Sequence, residues 1–150
     1  MAGSSGTPLP QKLGIKEAHR VALVGAPAGF DAVLGKLPMG TRVQKRLAGK
    51  DPLDVIVIFV RARAGLVAQL GAARPRMGQA AGLWIAWPKK TSTLATDLTE
   101  DVIRDVALPT GLVDNKVCAI DDTWSGLRLV IRKELRTRDV AIPPRTATKK

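Results

Sequence analysis

Two adjacent carboxylates, Asp121 and Asp122, stand between apolar runs in KVCAIDDTWSGLRLVIRK, residues 116–133. Paired acids can hold a metal, share a proton, contact a ligand or close a turn. One histidine, His19, and one cysteine, Cys118, are all the nitrogen and sulfur donors such a metal site could borrow. No metal site is expected, because His19 precedes the first apolar run and belongs at the far edge of any sheet. The acids are read as a turn with ion-pair duties toward nearby cations, and as ligand contacts in the second place. WPKK supplies those cations, Lys89 and Lys90, followed by Thr91 and Ser92, a set that suits phosphate or carboxylate. Exposed lysine pairs are more often simply solvated. Arg61 and Arg63 add two further cations. In GAPAG, Gly25 and Gly29 flank Pro27 and leave backbone bare beside a ligand, but the G-x-G-x-x-G spacing of a dinucleotide loop is absent. Trp124 is expected to be exposed or to lid the crevice. Cys118 reads as a small apolar residue, since no base is placed to activate it.

The elements that must position these groups follow from apolar patterning. Val21–Val24, Val55–Val60 and Leu83–Trp87 are unalternating apolar runs, the mark of strands covered on both faces. Val117–Ile120 and Leu127–Ile131 are two more strands, joined by too few residues for a crossover and therefore antiparallel. TRVQKRL reads as a short edge strand blunted by Lys45 and Arg46. Phe30, Val33, Leu34 and Leu37 mark one helix face, and Leu66, Val67, Leu70, Ala73 and Met77 a second. Leu98, Val102, Ile103 and Val106 mark a third, opened by a capping box of Asp97 and Glu100. Gly126 is expected to serve the turn through a backbone conformation that other residues resist. Trp84 and Trp87, three apart on one strand, must face opposite sides.

Strands alternating with helices give an α/β fold: a single three-layer domain on a mainly parallel sheet with a C-terminal antiparallel hairpin strand. The first four runs are expected to be parallel neighbours. This order resembles the methyltransferase-type variant of the Rossmann fold. Ligands in such sheets bind outside the carboxyl ends of the strands. That edge should gather Gly25, Pro27, Gly29, Arg61, Arg63, Lys89, Lys90, Ser92, Asp121, Asp122 and Trp124.

The chain has 150 residues, 45% of them apolar, enough for one core. Residues 1–12 are expected to be disordered, 13–135 to form the domain, and 136–150 to be a basic flexible tail. No apolar run reaches the length of a membrane span, and the N-terminus lacks the features of a secretory signal, so the expected location is the cytoplasm. The net charge of +11 invites an anionic small molecule, a protein partner or nucleic acid.

Four segments carry a family resemblance: SGTPLPQKLGI (Ser5–Ile15), VALVGAPAGF (Val21–Phe30), LWIAWPKK (Leu83–Lys90) and GLVDNKVCAIDDTWSGLRLVIRK (Gly111–Lys133). Together they resemble the bacterial family designated domain of unknown function 3052. The likeness spans nearly the whole chain apart from its last stretch, and the fourth segment is its most specific part. It implies a small cytoplasmic bacterial protein and carries no catalytic residue onto this sequence.

Three functions remain open on these grounds. The first is a non-catalytic domain that binds an anionic ligand or a protein partner at the strand-end edge. The alternative is a divergent adenosylmethionine-dependent methyltransferase, for which the acid expected after the second strand is replaced by Gln44, Lys45 and Arg46. The second alternative is nucleic-acid binding through the basic surface, with few aromatic residues to stack on bases.

Overall fold

The computed structural model describes residues 7–136. Six strands form one sheet: β1 (Arg20–Val24), β2 (Arg42–Gln44), β3 (Leu53–Phe59), β4 (Met77–Pro88), β5 (Leu112–Ala119) and β6 (Trp124–Ile131). Their order is β2-β1-β3-β4-β6-β5. β2, β1, β3 and β4 run parallel, and β6 is antiparallel to both β4 and β5.

The expectation that Val117–Ile120 neighbours the Leu83–Trp87 strand is therefore corrected. β5 points the same way as β4, but β6 lies between them. The hairpin connection at 120–123 is too short to carry β6 anywhere except alongside β5.

Helices α1 (Leu9–Leu13), α2 (Phe30–Leu34), α3 (Arg63–Ala73) and α4 (Glu100–Ala107) cover the sheet. The side chains that alternate along each central strand feed two cores. Ile56, Ile58, Leu83 and Ile85 pack with Leu66 and Leu70 of α3 and Ile103 of α4. Val55, Val57, Trp84 and Ala86 pack with Leu13 of α1 and with Phe30 and Leu34 of α2. Trp84 and Trp87 do face opposite sides.

Several local expectations need correction. Leu9–Lys12, expected to belong to a disordered start, form α1 together with Leu13, and the helix buries Pro10 and Leu13. The sheet below holds that turn, with a hydrogen bond from the Trp84 indole Nε1 to the Leu13 carbonyl, 3.0 Å long, and one from Lys12 Nζ to the Ala119 carbonyl, 3.1 Å long. α2 ends at Leu34, because Gly35 takes a φ of 79°. Val33 and Val67 lie exposed, and Met77 begins β4 rather than closing α3. Of the tail expected at 136–150, all but Arg136 lies outside the described residues.

Asp97 does not cap α4. Thr99 does, accepting the Val102 N–H at 3.2 Å. Asp97 instead reaches across to α3, where its Oδ1 accepts the Arg63 N–H at 2.9 Å. The preceding residue, Ala62, has no side-chain oxygen to cap that helix. Replacing Asp97 with Ala should cost about 1 kcal/mol in urea unfolding, the usual value of a lost cap. Asp97→Asn should retain most of that stability, because the amide oxygen still accepts. Equal stability of all three proteins would show that the cap contributes nothing.

Candidate functional site

β1, β3, β4 and β5 all release their chain at one edge of the sheet. The connection after β5 lies beside the segment after β4, and the Lys89 N–H donates to the Thr123 carbonyl at 2.8 Å. This is the expected placement of DDTWSG next to PKK. Among the described residues the edge carries two separate clefts with no lining residue in common, one toward each core, where a single crevice was expected.

The first cleft, about 360 Å³, is walled by the turn from Gly25 to Asp31, with Leu23 and Lys45. Gly25 is required twice over. Its φ is +72°, and a Cβ there would sit 3.0 Å from the Phe59 carbonyl oxygen. Gly29, at φ +84°, meets no other atom within 4 Å of where a Cβ would stand, so its backbone is bare. Beneath the turn runs an aromatic ladder. Phe30 packs edge-on to Phe59 at 4.9 Å between centroids, and Phe59 edge-on to Trp124 at 5.1 Å. At the rim, Lys45 Nζ lies 2.9 Å from the Asp31 carboxylate, both side chains largely exposed.

The second cleft, about 380 Å³, holds Lys89 and Lys90 opposite the start of α4. Ser125 and Trp87 also line it. Its far wall carries Glu100, Asp101 and Arg104. Arg104 pairs with Glu100 at 2.7 Å, Asp101 at 3.1 Å and Asp114 at 3.0 Å. The Asp114 and Glu100 hydrogen bonds hold its guanidinium more firmly protonated than usual. The lysines therefore face carboxylates across the cleft, and an anion entering it would meet both signs of charge.

The remaining expected residues serve the edge differently. Asp121 Oδ1 accepts the N–H groups of Thr123 and Trp124, each at 2.8 Å, which makes it the turn-former anticipated for the acidic pair. No ion pair joins Asp121 or Asp122 to Lys89 or Lys90 among the described residues, so that part of the expectation fails. The Arg61 carbonyl accepts the Thr96 hydroxyl at 2.7 Å, and its Nε donates to the Ala95 carbonyl at 3.3 Å. With the Arg63 N–H held by Asp97, this pair stitches two loops together. Ser92 Oγ accepts the Leu94 N–H at 3.3 Å. None of Arg61, Arg63, Ser92, Asp121 and Asp122 lines either cleft.

Trp124 is neither exposed nor a lid over Lys89 and Lys90. It is buried on the other face, because the first residue of β6 points toward Phe59 while Ser125 points into the lysine cleft. Gly126 also differs from expectation. It is needed for space rather than φ, since a Cβ would come within 3.1 Å of Trp84 and 3.0 Å of Ile120. Burial pushes the Cys118 thiol up, against a weaker opposing pull from Lys12 and Lys116, so it stays a poor nucleophile.

The sequence offered signals for some residues that were not singled out. Asp31 opens the helix after a glycine turn, and Glu100 and Arg104 stand four apart on one helix. Nothing local announces Ser125, which enters its cleft only through the pairing of β6 with β4. Among the described residues, no group of three His, Cys, Asp or Glu side chains could hold a metal ion.

No family model and no curated protein matches this sequence. Solved structures do match its fold. A SAM-dependent methyltransferase from Aquifex aeolicus superposes with a TM-score of 0.59 at 14% identity, over 81% of this chain and 87% of that one. The ribosomal protein L11 methylase from Lactobacillus delbrueckii subsp. bulgaricus gives 0.59 at 13% identity, over 83% and 75%. Fibrillarin from Aeropyrum pernix, solved with natively bound S-adenosyl-L-methionine, gives 0.54 at 12% identity, over 83% and 69%. The fold is the methyltransferase-type Rossmann fold. At these identities the likeness is one of architecture.

Burial of Trp124 changes what its removal should do. Trp124→Ala should lower stability by about 3–5 kcal/mol, as for other buried aromatics. Lys89→Gln with Lys90→Gln should shift the melting temperature little, because exposed charges contribute about 0–1 kcal/mol. Thermal and urea unfolding of the two proteins reads both effects, and a stable Trp124→Ala protein would contradict the aromatic ladder.

Proposed function

We propose that this chain is a divergent adenosylmethionine-dependent methyltransferase that takes its cofactor in the cleft over Gly25–Asp31. The observation that carries this reading is the cleft itself: bare glycine backbone after the first strand of a methyltransferase-type sheet. Its volume of about 360 Å³ falls within the range of small-ligand pockets.

The residues present fit the group in most respects. Gly25 and Gly29 would let the ligand approach main-chain N–H and C=O groups, and Leu23 and Phe30 offer apolar wall to a purine. Asp31 is the one carboxylate lining the cleft and would accept from ribose hydroxyls, with Lys45 holding it in place. When bound, adenosylmethionine supplies an electrophilic methyl group. The protein's share of the work is orientation and exclusion of water. The resemblance to the domain of unknown function 3052 family, and with it a bacterial and cytoplasmic setting, belongs to the same proposal and rests on the four sequence segments.

One observation favours a second reading. β2 ends at Gln44, whose amide Nε2 donates to the carbonyls of Arg46 (2.5 Å) and Ala48 (2.8 Å), and Lys45 follows where a ribose-holding acid is usual in this fold. A cation there suits an anionic ligand bound without chemistry.

Calorimetry with adenosylhomocysteine separates the two. Methyltransferase-type binding should be saturable, one ligand per chain, and lost in Ala28→Phe, which fills the cleft from an exposed position. It should survive the Lys89→Gln, Lys90→Gln pair. Binding of adenosine monophosphate instead, with the same sensitivity to Ala28→Phe, would favour the second reading. Indifference of every ligand to Ala28→Phe would remove the cleft from both.

A further inference from the structure

At the opposite edge of the sheet, beneath α1, lies a third pocket of about 400 Å³. Lys12, Lys16, His19, Lys116 and Arg128 line it, and Asp54 is its one carboxylate. That acid is already engaged, its Oδ2 accepting the Arg20 N–H at 2.8 Å. The His19 Nδ1 accepts the Lys16 N–H at 3.1 Å, which leaves Nε2 as the ring's donor. Gln11 and Asn115 add amides to the wall.

Arg128 is the unusual member. It sits in β6 between Trp84 of β4 and Lys116 of β5, half-buried. Gly82, two residues before Trp84 on the same face, makes its slot. A Cβ at Gly82 would lie 2.6 Å from Arg128 Nε and 2.9 Å from Nη2. No carboxylate pairs with this guanidinium among the described residues. Its hydrogen-bond partner is the Asn115 side-chain oxygen, at a long 3.4 Å. Burial, with a smaller contribution from Arg136, works against its charge. A cation kept partly out of water without a carboxylate is costly unless an anion arrives from elsewhere.

We propose that this pocket binds the phosphoryl group of a small phosphorylated molecule, with Arg128 as the positioned donor and Lys16 and Lys116 completing the charge. The guanidinium fork suits phosphate oxygens. The amides and Asp54 suit hydroxyl groups on the rest of such a ligand. A nucleic-acid strand fits less well: the pocket is concave, has no aromatic wall for bases and carries a carboxylate against a continuous phosphate chain. The site is independent of the Gly25–Asp31 cleft and does not rest on the function proposed there.

Isothermal titration of the full chain at low salt, with pyrophosphate and with adenosine monophosphate as probes, tests this. One site should appear, weakened about tenfold or more by Arg128→Gln, as expected for a charge-assisted pair. Gly82→Ala should weaken it as well, by displacing the guanidinium without removing a charge. The Lys89→Gln, Lys90→Gln pair and Ala28→Phe should leave it within about twofold, since a distant exposed charge acts only through screened solvent. Should Arg128→Gln fail to fold, the exposed pair Lys16→Gln, Lys116→Gln must weaken binding in its place. The proposal is overturned if no probe binds, if Gly82→Ala binds as the parent does, or if affinity follows net charge wherever the charge is removed. It is also overturned if a single-stranded oligonucleotide binds more tightly than either probe and ignores Arg128.

Discussion

The indole of Trp84 is the object around which one face of this sheet is arranged. It is fully buried in β4, and its one polar atom must find a partner away from water. The partner is the Leu13 carbonyl, so a five-residue helix that could not persist alone is fixed to the sheet. The bulk of the ring sets the residues beside it. Gly126, on the neighbouring strand, has no side chain because Trp84 and Ile120 fill that volume. Gly82, on the other side, leaves its space to Arg128. The same face continues through Phe59 and Trp124 to the floor of the glycine turn. A packing requirement at the centre of the sheet thus reaches both of its edges.

Much of this was legible in the residues. Short β-branched unalternating runs such as DVIVIFV read as strands covered on both sides, and that implies three layers. The acidic pair was correctly placed at the lysine-bearing edge, since a strand parallel in direction to LWIAW must turn there. Sheet order was not legible, because the pattern of β5 is compatible with either neighbour. Its burial, intermediate or exposed over most of its length, shows an edge strand in retrospect. Asp97 and Thr99 stand two apart, and both could cap α4. Only the position of α3 reveals that Asp97 serves another helix. Side-chain direction at a strand's first residue decides Trp124 against Ser125, and a one-residue uncertainty in where β6 begins inverts that answer. Gly82 and Arg128 lie far apart in sequence, so their fit appears only once the strands are paired.

Charge is distributed with more structure than a net +11 suggests. Near α4, cations and carboxylates are interleaved, and Arg104 joins the helix to β5 through Asp114. At the glycine turn a single pair, Asp31 and Lys45, marks the rim. Under α1 the balance is strongly positive. The basic character that composition reports for the whole chain is thus carried, among the three pockets, chiefly by the one farthest from the edge where ligands of this fold are usually found.

The pairing of β3 with β4 is uneven along its length. From Leu53 to Val55 the shorter strand advances two residues while β4 advances five, from Met77 to Gly82. Beyond that point the two proceed in step, Val55 with Gly82 through Phe59 with Ala86. All the slack of the central pair is therefore gathered at one end. Residues 78–81 form a bulge that takes up the difference ahead of the stretch that carries Trp84. A one-residue change of length after Gly82 would instead turn every following side chain of the strand to the wrong core. For a length change within this pair the in-step stretch is the less forgiving one, and the glycine turn and the lysine cleft both lie at the edge to which it leads.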